Sequence, residues 1–454
     1  MKRSKKTLKS KKRKIRKIKY LLLFFILIIT IFVIIIIKIN TKQVNQENNK
    51  PKEETTEEII SNILSFQVEE NITEEFLIWI EKNYNKKVLQ EINKSITEEN
   101  YESALWHCLT NNSLKVLLDK YNKVYDTAPN VIEKNVKLDT TILNFIGDVS
   151  LADNWYIIKE YDKRKQKVLG ILDENIINIF KEDDITIANN EFTISDRGAK
   201  LPNKYYTFRA SPKRLSIYKE MDVDLVTLAN NHIYDFGEDA FQDSLEALKQ
   251  YNIPYIGAGK NIGEAKLPYY FIINGYKIAF VNATRAEKYI LTPEATETSG
   301  GVLRCYDPTT FLSVIEEAKK TSDFVIALVH WGKEDSTQLE QVQIETSKKY
   351  IDAGADIIIG THAHTLQGID FYNQKAIIYN LGDFIFNHED KDTAILQLRI
   401  TKDGNFEYKI IPCHQKDKYT YLLENSEKTR VIDKIRNLSP NIDINEDGEI
   451  KPKY

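Results

Sequence analysis

Between residues 138 and 415 the chain alternates short apolar runs with amphipathic stretches, and this alternation narrows the fold more than any other feature. The runs are TTILNFIG, DITIAN, DLVTLAN, YYFIING, YKIAFVNAT, DFVIALVHWG, ADIIIGTHAH and KAIIYNLGDFIF. Between them lie helical patterns such as Asp239–Tyr251, Thr310–Lys320 and Gln338–Ala353. Strands that are apolar on both faces cannot leave one face in water, so the sheet must be covered by helices. YYFIING and YKIAFVNAT adjoin through Asn-Gly, which predicts an antiparallel hairpin. The domain is therefore mixed α/β rather than purely doubly wound, and no internal repeat is visible.

Composition removes several alternatives. With 454 residues, 42% of them apolar, the chain has enough material for one large or two ordinary domains and too much apolar character for disorder. Cys108, Cys305 and Cys413 lie far apart, which excludes a disulfide scaffold and a thiolate zinc site. The net charge of −3 hides a split: residues 1–19 hold twelve Lys or Arg and no acid, leaving the rest at −15. An acidic body lacks the clustered cations that phosphate backbones require, so no nucleic-acid partner is expected.

The N-terminal third has its own order. A basic cytoplasmic head (1–19) precedes a membrane anchor (20–38), whose run Leu21–Ile37 is broken only by Thr30. Its 17 residues give roughly 26 Å as a helix, enough for a thin hydrocarbon core with Lys19 and Lys38 snorkelling. No small-residue cleavage site follows, and the flanking cations hold the N-terminus in the cytoplasm next to anionic lipid. The expected localisation is thus the cell membrane, single-pass, with the main domain outside. A polar tether (39–57) leads to a small helical module (58–130) carrying EEFLIWIEKNY and LKVLLDKYNKVY. In that module His107 beside Cys108 reads as a core pair. After the main domain (138–415), the tail (416–454) reads as a charged helix and a hairpin turning at Asp447-Gly448. Tyr454 stands where a calcium loop would need Glu, so an EF-hand is excluded.

The polar residues of interest each follow directly on an apolar run. Asp148 ends NFIGD; Asn189, Asn190 and Glu191 follow DITIA; Asn230, Asn231, His232 and Asp235 follow DLVTLA. His330 ends DFVIALVH, His362 and His364 follow ADIIIG, and Asp383 follows IIYNLG. Carboxyl ends of strands line the ligand crevice of such sheets, so these side chains should meet. Four of the seven histidines fall at such ends. Carboxylates, an amide oxygen and imidazoles without thiolate suit a divalent Mn, Fe or Zn ion, one or two per chain, that can activate water. In GTHAHT, alternate residues put both imidazoles on one side of an extended segment. Singly, each residue has a plainer use, and a strand-end Asp such as Asp383 serves equally well as a helix N-cap.

FIGDVSLAD, ANNEF, TLANNHIYDFG, VHWGKE, GTHAHTLQG and NLGDFIF occur in this order. Together, over roughly 140–414, they resemble the CapA family of capsule and poly-gamma-glutamate synthesis proteins, whose domain is similar to calcineurin-like metallophosphoesterases. The resemblance implies a layered α/β/β/α metallophosphatase-like sandwich on a membrane anchor. It implies Asp148, Glu191, Asn231, His330 and His362 as metal ligands, with His364 joining them or orienting a metal-bound oxygen. It makes His232 the proton donor to a leaving oxygen. Asp235 would orient that imidazole or cap the following helix, and Arg209 would offer a fork to phosphate or carboxylate, or form a surface ion pair.

Two departures bear on activity: Ser150 stands where metallophosphoesterases carry histidine, and Glu191 replaces their bridging aspartate. The expected function is a metal-dependent hydrolase or transferase in capsule polymer synthesis or export. It would act on an anionic polymer or phosphoester beside other membrane synthesis subunits. The alternative is a non-catalytic, metal-containing scaffold that binds the polymer for a membrane synthase.

Overall fold

The computed structural model describes residues 28–38, 54–66, 71–122, 130–134, 140–287, 291–386 and 390–453. The basic head, residues 20–27 of the expected anchor and most of the tether lie outside them. Residues 28–38 are helical and exposed, but among the described residues no helix is long and apolar enough to cross a membrane. The chain divides into two units, Met1–Phe66 and Gln67–Tyr454. Within the first, the helix Thr56–Ser65 opens on a capping box in which Thr55 and Glu58 satisfy each other's backbone N–H groups.

The second unit holds two large sheets. In the ten-stranded sheet, β1 (Thr140–Val149), β2 (Ile185–Asn190) and β3 (Leu225–Thr227) run parallel. The seven-stranded sheet has β4 (Tyr276–Thr284), β5 (Phe324–Trp331) and β6 (Ile357–His362) parallel at its centre. The short β7 (Asp383–Ile385) returns to the ten-stranded sheet and pairs in parallel with β1. The expected hairpin is present: Tyr269–Ile273 pairs antiparallel with β4, and Asn274 and Gly275 both adopt positive φ, +49° and +76°.

Alternation along the strands explains the layering. Leu143 and Phe145 of β1, Phe280 of β4, and Ile326 and Leu328 of β5 meet in one core between the sheets. The intervening residues of β4 and β5, Ala279, Val281, Val325 and Val329, face outward onto Phe311, Ile315 and Tyr350 of two covering helices. On the other side Ile146, Ala188 and Val226 pack beneath Ile157, Ile176, Phe241 and Leu245. The order is helix, sheet, sheet, helix, and it is the two-face burial read in the sequence.

Among the described residues of this unit, four helices precede the sheets: α1 (Glu74–Asn83), α2 (Lys86–Thr97), α3 (Ala104–Thr110) and α4 (Leu114–Tyr121). They bury Phe76, Ile80, Leu89, Ile92 and Trp106 among the most enclosed side chains of the chain. They belong to the same unit as the sheets and dock at the start of β4 and β5. Ser113 donates to Asp323 (2.6 Å), Lys277 pairs with Asp119 (2.6 Å), and Lys115 donates to the carbonyl oxygens of Lys319 and Ser322. His107 bonds the Asn274 carbonyl oxygen and stacks on Tyr276 at 4.1 Å, whereas Cys108 is exposed. In the tail, Asn425–Asn437 is a helix, and Ile442–Ile444 pairs with Glu449–Pro452 across a turn with Gly448 at φ +92°.

Candidate metal centre

The strand ends meet as the sequence requires. Asp148 closes β1, fully buried, and its carboxylate accepts from the Asn189 amide (2.8 Å) and from the His362 backbone N–H (3.1 Å). The same Asn189 amide reaches Glu191 Oε2 at 3.1 Å, so one side chain bridges two buried carboxylates. Gly147 allows this crowding: a Cβ there would lie 1.8 Å from the Gly382 carbonyl oxygen. After β3, Asn230 Oδ1 accepts from the N–H groups of His232 (2.9 Å) and Ile233 (3.1 Å), fixing the turn that presents Asn231 and His232.

Three imidazoles converge on a single oxygen. The Nε2 atoms of His232, His330 and His364 lie 3.9, 3.8 and 3.8 Å from Glu191 Oε1. That oxygen is buried and has no hydrogen-bond partner, and neither have His362 Nδ1 or Ser150 Oγ. Buried polar atoms are nearly always paired. Orphans of this kind around a set of Asp, Glu and His fit cation binding. The donor atoms of Glu191, His362 and His364 lie within 4.8 Å of one another, as do those of Asp148, Glu191 and His330. The residues present therefore fit one or two divalent ions with oxygen and nitrogen ligands.

Protonation agrees with this at His330 and His362. Burial, reinforced by the neighbouring imidazoles, pushes His330 and His362 well below the usual histidine range, leaving them neutral as ligation requires. Burial pulls His364 the same way, but Asp383 and Glu191 outweigh it and hold His364 well above that range. Burial, then the Asp148 charge, pushes the Glu191 carboxyl well up.

The remaining residues fall into place unevenly. Asp235 Oδ2 sits 2.7 Å from His232 Nδ1, and the helix Glu238–Gln250 starts after Gly237, so Asp235 orients the imidazole and does not cap the helix. His232 also stacks on Phe208 at 4.0 Å. Asn231 Oδ1 and His330 Nε2 are bonded to each other (2.8 Å), so an ion held by both would replace that bond. Arg209 lies over the Phe236 ring and donates to the carbonyl oxygens of Arg197 and Gly198, contacts that turn its guanidinium onto its own loop. His362 and His364 do share the cluster, but through left-handed backbone at both (φ +93° and +54°) rather than an extended segment.

Two further residues complete the site, Asp383, which the sequence left open between strand-end member and helix cap, and Lys204, which it did not mark. Asp383 Oδ1 is 2.7 Å from His364 Nδ1. Lys204, almost fully enclosed, lies 2.7 Å from Asp235 Oδ1 as an ion pair and 2.8 Å from Glu287, and donates to the Asn231 carbonyl oxygen. It comes from a loop without periodicity, where only a contact map could single it out.

Residues 142–388, more than half the chain, match the model of the bacterial capsule synthesis protein PGA_cap family. The PGA biosynthesis protein CapA of Bacillus subtilis (strain 168) is 29% identical over 279 residues, 60% of this chain and 71% of its own. The capsule biosynthesis protein CapA of Bacillus anthracis is 29% identical over 295 residues, 63% of this chain and 69% of its own. A solved 5'-nucleotidase from Candida albicans SC5314 overlaps 61% of this chain and 53% of its own at 13% identity. The TM-score of that overlap is 0.35. The strand-end motifs, the order in which they occur and the family match agree, and the chain belongs to the bacterial capsule synthesis PGA_cap family.

Proposed function

We propose that this protein serves the synthesis or export of a capsule polymer of the poly-gamma-glutamate kind, as a metal-dependent hydrolase or transferase held at the outer face of the cell membrane. The observation that carries the reading is Glu191 Oε1, buried without a hydrogen-bond partner and with three Nε2 atoms 3.8–3.9 Å away. Asp148, Glu191, His330, His362 and His364 would hold a divalent Mn, Fe or Zn ion, with Asn231 at its edge. Bound there, the ion would supply Lewis acidity and lower the pKa of a coordinated water. The chain's own part is binding and proton placement. His232, fixed through Nδ1 by Asp235, keeps Nε2 toward the cluster, where it can give a proton to a leaving oxygen. The Phe208 ring on one face of that imidazole limits water there.

The apolar run 20–38 supports a membrane anchor, and relatives named for capsule and PGA biosynthesis support an anionic polymer as substrate and other synthesis subunits as partners. One feature favours the second reading, a non-catalytic polymer-binding scaffold: Ser150 offers a hydroxyl where histidine would add a ligand.

Elemental analysis of the full-length chain, purified without chelator, tests the first reading beside a His330→Ala/His362→Ala variant. One or two ions per chain, absent from the variant, together with cleavage of a poly-gamma-glutamate or phosphodiester substrate, would support it. A folded wild type that takes up neither Mn, Fe nor Zn would sink the hydrolase and transfer weight to the scaffold.

A further inference from the structure

We infer that Asp383 is the positioning residue of His364, the carboxylate that accepts the hydrogen bond from its Nδ1–H so that Nε2 is the atom presented to the cluster. The inference rests on the metal reading above and extends it to a residue outside the expected ligand set. Nδ1 and Asp383 Oδ1 are 2.7 Å apart, both residues are buried, and Nε2 then lies 3.8 Å from Glu191 Oε1. The backbone that carries this carboxylate is held in place. Asp383 opens β7 directly opposite Asp148 in register, and that register is locked by Asp148 N–H on the Gly382 carbonyl (3.0 Å) and Ser150 N–H on Ile385 (2.8 Å). The Phe386 ring, three residues on, packs at 4.8 Å from the His364 ring and limits its rotation.

His232 supplies an internal comparison. Its Nδ1 is also 2.7 Å from a fully buried Asp, and its Nε2 also faces Glu191 Oε1 at 3.9 Å. The site therefore contains the same device twice, on strand ends from different parts of the chain. Asp148, His364 and Asp383 could in principle form an ion site of their own, since their donor atoms lie within 4.8 Å. Nδ1 instead lies 2.7 Å from Asp383 Oδ1 and 3.4 Å from Asp148 Oδ2, which makes Asp383 its nearer acceptor. An imidazole that donates Nδ1–H to a carboxylate offers only Nε2 to an ion.

The test is Mn²⁺ titration of the full-length chain by calorimetry, with far-UV circular dichroism as the fold check. Asp383→Ala is expected to weaken Mn²⁺ binding about 10- to 100-fold. Asp383→Asn, whose amide oxygen still accepts from Nδ1–H, should recover most of that loss. In a His364→Ala background, either Asp383 substitution should change nothing further. Should Asp383→Ala fail to fold, Asp383→Leu, which fills the space but accepts no hydrogen bond, takes its place in both backgrounds with the same expected loss. Wild-type affinity in a folded Asp383→Ala, or an Asn variant as weak as Ala, overturns the positioning role while leaving the metal reading intact. A wild type that binds no Mn²⁺, Zn²⁺ or Fe²⁺ overturns that reading and this inference together.

Discussion

Replacing Lys204 by Met should unsettle the chain more than any exposed lysine could. Lys204 is 4% exposed by side chain and lies between Asp235 Oδ1 (2.7 Å) and Glu287 (2.8 Å), whose own exposures are 0% and 21%. At an effective dielectric of about 20 each contact is worth about 6 kcal/mol of Coulomb attraction, against a desolvation cost of similar size. Removing the cation refunds little of that cost. Glu287 can turn to water, but Asp235 cannot, since its other oxygen is tied to His232 and to the Phe208 N–H at 2.7 Å. One uncompensated buried carboxylate should therefore cost about 3–5 kcal/mol. In urea unfolding of the full-length chain this appears as a lower midpoint at unchanged slope. The partner change Asp235→Asn removes the stranded charge, so the double variant should recover about 2 kcal/mol or more relative to additive behaviour. A Lys204→Met chain within about 1 kcal/mol of wild type, or strict additivity in the cycle, would refute the argument.

Glu191→Gln should separate stability from ion binding: because burial and Asp148 disfavour the charged carboxylate, the variant should melt no lower than wild type in chelator. Wild type should gain about 2.7 kcal/mol at an ion concentration 100 times Kd, and the variant should lose this rise, read by melts with and without MnCl₂. Asp183, which accepts from Asn144 and Thr186 at 2.6 Å each, is pushed up to about 8 by burial despite those bonds. A carboxyl raised on folding holds its proton only in the native state, so its contribution is complete below pH 4 and is lost as pH rises toward 8. The advantage of Asp183→Asn over wild type should widen by about 1 kcal/mol per pH unit between pH 5 and 8, and a constant gap across urea titrations would contradict this.

What the sequence disclosed and what it withheld follow from range. The Asn274–Gly275 turn and the two-face burial of β4 and β5 are local patterns with a fixed period, and both were legible. So was the meeting of Asp148, Glu191, His330 and His362, because parallel strands place all their carboxyl ends on one side. Left-handed backbone at His362 and His364 was not, since alternation assumes a strand that in fact ends there. Asp235 stayed open between cap and imidazole partner because helix starts are local, whereas its partner Lys204 arrives from 31 positions upstream. Asp383 looked ambiguous for the same reason: its meaning depends on the pairing of β7 with β1, more than 230 residues apart.

The docking of α1–α4 has a consequence for how the molecule can be held. Their contacts fall at Lys277 and Asp323, where β4 and β5 begin, while His330 stands near the far end of β5. At about 3.3 Å per residue those points are roughly 20 Å apart along the strand. Grip and workplace thus occupy opposite poles of the same unit. Whatever contacts the outer side of α1–α4 therefore lies well away from the buried His330.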